Sequence, residues 1–258
     1  MPIATWVDGV LGGGVSPLDP GFLYGESVFE TMRARDGRVI DLDAHVALLD
    51  QGARAIAIRV PPFAHLRAAL AETIAAADEP DLRVRVIVTA APAIVVTAEP
   101  CPPLGIRAPL TLAIVDRPLV DARTLDPSLK TGAYLDHRLA IRDGHADESI
   151  RLTLGGLVAS CATANLFAVI DGALVTPPAS LGIRRGTVRA RVLADAGARA
   201  REQTFTGDDL ARASELFVTS SIRGVAPARL VTRDTPAPGP VTQQLADAYL
   251  AFAMRDMH

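Results

Sequence analysis

Hydrophobic positions along the chain change period several times, and each change marks an element. In ESVFETMRAR (26–35) apolar and polar residues alternate as in a strand, and GRVIDL (37–42) continues as a second strand. Between them Asp36-Gly37 supplies residues that accept the left-handed conformation of a two-residue hairpin turn. Alternation places Phe29, Thr31 and Arg33 on one face of the first strand. LDAHVALLDQGARAIAI (42–58) and PFAHLRAALAETIAAAD (62–78) repeat their apolar residues at helical spacing, the second after a Pro-Pro start. LRVRVIVTA (82–90), AIVVTAE (93–99) and LTLAIV (110–115) read as strands, with a proline-rich break at EPCPP (99–103).

Further along, the pattern predicts a helix over about 132–145 and strands at SIRLTL (149–154), NLFAVI (165–170) and ALVTP (173–177). A helix over about 187–198, a strand at ELFVTS (215–220) and a terminal helix at VTQQLADAYLAFAM (241–254) follow. The expected class is α+β, or mixed α/β. The expected organisation is a small N-terminal α/β domain over 1–115, a linker over 116–122 and a larger C-terminal domain over 123–258. The glycine run at 12–14 reads as a turn, because no strand–helix unit surrounds it to make a phosphate loop.

Composition removes several function classes. A formal net charge of −3 with 21% charged residues offers no basic face for nucleic acid. The first residues lack a basic flank followed by an apolar run, and no stretch of about 18 unbroken apolar residues occurs, so neither a signal peptide nor a membrane span is expected. A cytoplasmic enzyme is the expectation. The cysteines, Cys101 and Cys161, have no metal-type spacing and are expected as reduced thiols; the five histidines form no ligand pattern, and no metal site is expected.

One count points to chemistry. Lys130, in DPSLKTGAYLDHRLA (126–140), is the only lysine, and every other member of the 26 Lys and Arg residues is an arginine. An arginine-rich chain exchanges lysine cheaply at the surface, yet this position kept it. Arginine stays protonated, whereas a lysine amine can lose its proton and attack a carbonyl to form a Schiff base.

The ordered set GFLYGESVFETMRARDGR, LDAHVALL, LKTGAYL, HADESI, CATANLFAVIDGALVTPP, GIRRGTVR and FVTSSIRGVAP resembles the class IV, or fold-type-IV, aminotransferases, and it spans nearly the whole chain. The resemblance implies pyridoxal 5'-phosphate as cofactor, bound between a small and a larger domain, and a homodimer. Lys130 is then the Schiff-base lysine. Thr187 and Val188 in the GIRRGTVR loop match the phosphate-holding turn, while Arg184 of the same loop stands at the place of a leucine that backs the cofactor ring; Ser220 and Ser221 match a second turn that meets phosphate and substrate carboxylate. Phe29, Thr31 and Arg33 match positions lining the substrate pocket, with Tyr24 at its rim and Arg33 as a candidate carboxylate partner. Asp147 and Glu148 match a pattern that reads as structural.

Further departures accompany the match. Leu48 occupies the place of an arginine that contacts the phosphate, leaving Arg184 or Arg185 as candidate replacements. Ser160, five residues before Asn165, stands where relatives carry the glutamate that keeps the cofactor's ring nitrogen protonated. The implied activity is amino transfer between an amino acid and a 2-oxo acid. The alternatives are 4-amino-4-deoxychorismate lyase, which releases pyruvate and 4-aminobenzoate, and a non-catalytic binding protein on the same fold.

Overall fold

The computed structural model describes residues 3–105, 108–232 and 238–255. The chain divides into two compact units, one made of Met1–Pro103 with Leu129–Tyr134 and Ala253–His258, the other of Leu104–Ser128 with Leu135–Phe252. The segment expected as a linker, 116–122, therefore lies inside the second unit. Residues 129–134, expected in the C-terminal domain, belong to the first. The cause is backbone pairing: the Phe29 N–H donates to the Lys130 carbonyl at 3.0 Å, the Gly132 N–H donates to the Ser27 carbonyl at 2.9 Å, and Val28 and Thr131 form a β-bridge.

The first unit contains β1 (Ala4–Val7), β2 (Val10–Leu11), the single turn α1 (Pro20–Leu23), β3 (Ser27–Arg35), β4 (Arg38–Val39), α2 (Leu42–Ala55), α3 (Phe63–Ala77), β5 (Asp81–Thr89) and β6 (Ile94–Pro100). Its antiparallel sheet runs β2-β1-β6-β5-β3-β4. The hairpin of β3 and β4 turns at Asp36 and Gly37, with φ of 46° and 82°, as the dipeptide predicts. The period of two separates the faces. Val28, Met32 and Ala34 of β3, with Val84, Val86 and Val88 of β5, form one buried core with Leu49 and Ala53 of α2 and Leu66, Leu70 and Ile74 of α3. The opposite face carries Phe29, Thr31 and Arg33, paired across the strands with Ile87, Arg85 and Arg83.

A polar pair sits on the helix-covered face. Glu30 of β3 and His45 of α2 are both buried, with Oε2 and Nδ1 2.8 Å apart, so each satisfies a group that burial would otherwise leave costly. His45 thus supports the sheet's packing against α2, while Leu48, one turn on, is half-buried.

The second unit contains β7 (Leu110–Ile114), α4 (Leu135–Gly144), β8 (Glu148–Leu152), β9 (Val158–Cys161), β10 (Asn165–Ile170), β11 (Ala173–Thr176), α5 (Thr187–Ala196), β12 (Ala200–Glu202), α6 (Gly207–Leu210), β13 (Ala213–Ser220), β14 (Gly224–Leu230) and α7 (Pro240–Arg255), the last reaching it through Phe252. Its mixed sheet runs β12-β11-β10-β13-β14-β7-β8-β9. Leu112, Ile150, Leu166, Ala168, Leu216 and Val218 lie in its main core. The stacked rings of Phe167 and Phe217, 4.9 Å apart, join β10 to β13. Glu215 of β13 accepts from the backbone N–H groups of Val241 and Thr242 at 3.2 and 2.8 Å, which places a carboxylate at the start of α7, where the helix dipole favours it.

Cys101 and Cys161 are unbridged and buried, as expected. Burial, followed by the charge of Glu148, holds the Cys161 thiol well above its ordinary range and so keeps it from forming a thiolate.

Candidate active site

The lysine comes with its surroundings fixed by β3. Lys130 Nζ lies 5.1 Å from the centroid of the Phe29 ring and 6.0 Å from that of Tyr134. Those two rings meet edge to face at 5.2 Å, an arrangement aromatic quadrupoles favour. A side chain at Gly132 would place its Cβ 2.4 Å from Ser27 Oγ and 2.7 Å from the Gly25 carbonyl, so glycine is what lets the 130–132 segment lie against the start of β3. Phe29 is buried, Thr31 half-buried, and both share the face on which the amine sits. Tyr24, just beyond α1, is 73% exposed.

Arg33 is not available to a substrate. Its side chain is 1% exposed, and its Nη1 donates to Asp81 Oδ1 at 2.5 Å while Nη2 donates to the Pro102 carbonyl at 2.8 Å. This corrects the expectation of a carboxylate partner: the charge is already neutralised inside the protein. A neighbour on the same face differs. Arg85, the cross-strand partner of Thr31, is exposed; its Nε donates to Thr31 Oγ1 at 3.2 Å and its guanidinium lies 4.8 Å from the centroid of Phe29. Sequence reasoning passed over Arg85 because both arginines alternate onto one face, and only the fold tells which one has a buried acid beside it.

In the second unit an anion cradle forms around the start of α5. Gly186 is its N-cap and makes no side-chain cap, and no acidic residue stands in its first turn, so the N–H groups at Thr187 and Val188 present an unopposed positive end. Asn165 Nδ2 donates to the Arg184 carbonyl at 2.8 Å, and a Cβ at Gly186 would come within 2.5 Å of Asn165 Oδ1, which fixes the loop against β10. Thr219 stands opposite Asn165 across β10 and β13, and its Oγ1 is buried without a hydrogen-bond partner in the protein. Ser220 and Ser221 follow it, half-buried. A buried hydroxyl lacking a partner, two more hydroxyls and an uncapped helix start suit a phosphate-like dianion.

The arginines of the loop divide. Arg184 is half-buried, with Nη1 3.3 Å from the Ser128 carbonyl, whereas Arg185 is exposed and lends its charge to Glu202. Glu202 is held below the usual carboxylate range chiefly by the hydrogen bond from Arg189. Ser160 is buried on β9, and its hydroxyl donates to the Ala164 carbonyl at 2.8 Å. Asp147 and Glu148 are structural. Asp147 is bound by the backbone N–H and hydroxyl of Thr111, which lower its pKa; Glu148 is fully buried against Thr163 and Arg223.

The profile of the amino-transferase class IV family matches residues 27–231, most of the chain and all of these site residues except Tyr24. The chain belongs to the class IV aminotransferases. A Methanocaldococcus jannaschii relative, provisionally named a branched-chain-amino-acid aminotransferase, is 33% identical over 237 residues, 83% of this chain and 81% of its own. Among solved structures, the branched-chain aminotransferase of Thermoproteus uzoniensis with norvaline superposes with a TM-score of 0.89 at 27% identity, covering 99% of this aminotransferase and 96% of that chain. The T.th. branched-chain amino acid aminotransferase complexed with N-(5'-phosphopyridoxyl)-L-glutamate reaches a TM-score of 0.87 at 24% identity over 98% and 95% of the two chains, a likeness of fold. The mixed α+β class expected from the sequence is that of these structures. Among the described residues no helix is long and apolar enough to cross a membrane, and no group of His, Cys, Asp and Glu side chains could hold a metal ion.

Proposed function

We propose that this aminotransferase uses pyridoxal phosphate to move the amino group of an apolar amino acid to a 2-oxo acid, with Lys130 as its reacting amine. The observation that carries the reading is the sole lysine of the chain, held by backbone pairing beside the Phe29 and Tyr134 rings in a member of this family. Bound to such a site, the cofactor supplies an aldehyde that takes up amines and a ring that draws electrons from the substrate's α-carbon. Lys130 Nζ would hold the cofactor at rest and, with its amine free, would take the proton from the substrate's α-carbon and deliver it to the cofactor's C4′ carbon, the shift that transfer requires. Thr187 and Val188, through their N–H groups, and Thr219, Ser220 and Ser221, through hydroxyls, hold the phosphate. Arg184 adds charge to that loop in a chain where Leu48 supplies none.

For the substrate, the apolar face of Phe29 and Tyr134 suits an aliphatic side chain, which agrees with the activity for which the relatives are named. Arg85 offers the carboxylate partner. Arg85→Leu is expected to raise KM for the amino donor about tenfold, the worth of one charge-assisted hydrogen bond, with kcat and the melting temperature little changed. An unchanged KM would remove Arg85 from the substrate site.

Leu18, Phe22, Leu23 and Tyr24 form an exposed apolar run, from 48% to 79% accessible, which supports a second copy of the chain as the partner that covers it. The deciding experiment mixes pure protein and pyridoxal phosphate with a panel of L- and D-amino acids and 2-oxo acids, following spectra and products. Loss of the yellow absorbance with formation of pyridoxamine phosphate, and its return on adding the oxo acid, is the expected result. Pyruvate released from aminodeoxychorismate instead would make the protein a lyase.

A further inference from the structure

On β8 and β9, Arg151 stands directly opposite Ser160, and directly opposed residues of antiparallel strands point to the same face with Cβ atoms about 4.5–5.5 Å apart. Arg151 is 1% exposed. Its Nη2 donates to the Pro118 carbonyl at 2.6 Å and its Nε to the Arg117 carbonyl at 3.3 Å. Nη1 lies 2.9 Å from Asp136 Oδ2 but makes no hydrogen bond with acceptable geometry, and it is one of only three buried polar side-chain atoms among the described residues left in that state. A guanidinium cannot shed its charge, so position 160 faces a permanent buried cation.

Asp136 pairs with that guanidinium and offsets it in part. Asp136 of α4 is 26% exposed and is therefore screened by solvent more than the buried guanidinium is; its Oδ1 is also engaged by the His137 N–H. His137 Nδ1 is taken up by the Ala162 carbonyl at 2.7 Å. Glu148 is matched by Arg223 at 3.0 Å, and Arg184 is turned to Ser128. The Ser160 hydroxyl can change partner without loss, because the Ala164 carbonyl to which it donates also accepts the Cys161 N–H at 2.9 Å.

We propose that Arg151 and Ser160 form a cross-strand pair that keeps the ring nitrogen of the bound cofactor unprotonated, Ser160 donating its hydroxyl to that nitrogen while Arg151 opposes a second positive charge on the same face. This rests on the reading above that the protein binds pyridoxal phosphate, and on the resemblance that sets Ser160 at the place of the ring-nitrogen glutamate. It makes Arg151 a positioning residue that acts through electrostatics, and it changes what a carboxylate at position 160 would do. A glutamate there competes with Asp136 for Nη1 of Arg151 across the strands and is drawn away from the ring as an ion-pair partner. The acid alone therefore does not restore a protonated ring; removing Arg151 as well does.

The test reconstitutes the full chain with pyridoxal phosphate labelled with 15N in the ring and reads that nitrogen by NMR between about pH 6 and 9, around the unperturbed range of imidazole-like bases. Wild type, Ser160→Glu and Arg151→Lys are expected to show the unprotonated nitrogen, and the double variant Arg151→Met, Ser160→Glu the protonated one. A protonated nitrogen in wild type overturns the proposal, as does its appearance in Ser160→Glu alone. If the double variant does not fold, the single glutamate variant still decides.

A second measurement needs no cofactor. In a thermal double-mutant cycle on the cofactor-free chain, Ser160→Glu should lower the melting temperature less when Arg151 is present than when it is methionine, and additive losses would show that the pair is not coupled. A cycle that shows coupling together with a ring signal unmoved in every variant would keep the cross-strand pair but overturn its role at the ring, because Ser160 would then not face that nitrogen.

Discussion

Lys130→Arg is expected to abolish amino transfer, with a fall on the order of 10⁴-fold or more, while the melting temperature changes little. The substitution keeps a cation beside Phe29 and Tyr134, and the backbone pairing of 130–132 with β3 does not depend on the side chain. What it removes is an amine able to bond to a carbonyl carbon and to carry a proton, since a guanidinium does neither at neutral pH. Turnover and thermal melts of the two proteins measure this together. Borohydride treatment of the cofactor-loaded wild type should then fix the label on the peptide containing residue 130. A label at the chain's amino terminus, or a variant with full turnover, would show that the reacting amine lies elsewhere.

The second large effect falls on stability. Asp81→Ala removes the acid that neutralises Arg33 and leaves a guanidinium, 1% exposed, buried without that acid. Breaking a buried pair by deleting one partner costs about 3–5 kcal/mol, several times the effect of an ordinary surface substitution. Chemical denaturation should register that loss. Arg33→Met combined with Asp81→Leu should recover much of it, because replacing both charges by apolar groups of similar size removes the uncompensated ion. Were Asp81→Ala as stable as wild type but impaired in KM, Arg33 would have to be reassigned to the substrate after all.

That pair also shows where the sequence stops being readable. The hairpin at Asp36-Gly37, the helices α2 and α3 and the long strands β3 and β5 announce themselves, because each repeats its apolar residues over a dozen or so positions or turns on a dipeptide with a conformational demand. The short strands do not. β9 has four residues, two of them alanine and serine, too few for a period to emerge. β14 contains Pro227, which argues against a central strand; the fold tolerates it because the pairing of β14 with β7 begins only at Ala228, so no partner on that side needs the missing N–H. Lys130 was legible as a count, and the anion cradle as motifs. The partnership of Arg33 with Asp81 was not, since 48 residues separate them and nothing local distinguishes Arg33 from Arg85. Arg151 escaped notice for the same reason: its meaning lies in the strand register that sets it opposite Ser160.

The return of residues 129–134 to the first unit has a consequence for the protein's birth. A chain emerging from the ribosome has made all of β1 to β6 by Pro103, yet the strand-like segment that pairs with the beginning of β3, and brings the amine with it, follows only after the 104–128 excursion. At about 5–20 residues per second, the sheet waits on the order of seconds with that stretch of β3 paired to β5 but open along its other edge. Closing a loop of this length costs only a few kcal/mol in chain entropy and grows slowly with further insertion, so the excursion can lengthen or shorten between relatives without preventing the lysine from arriving.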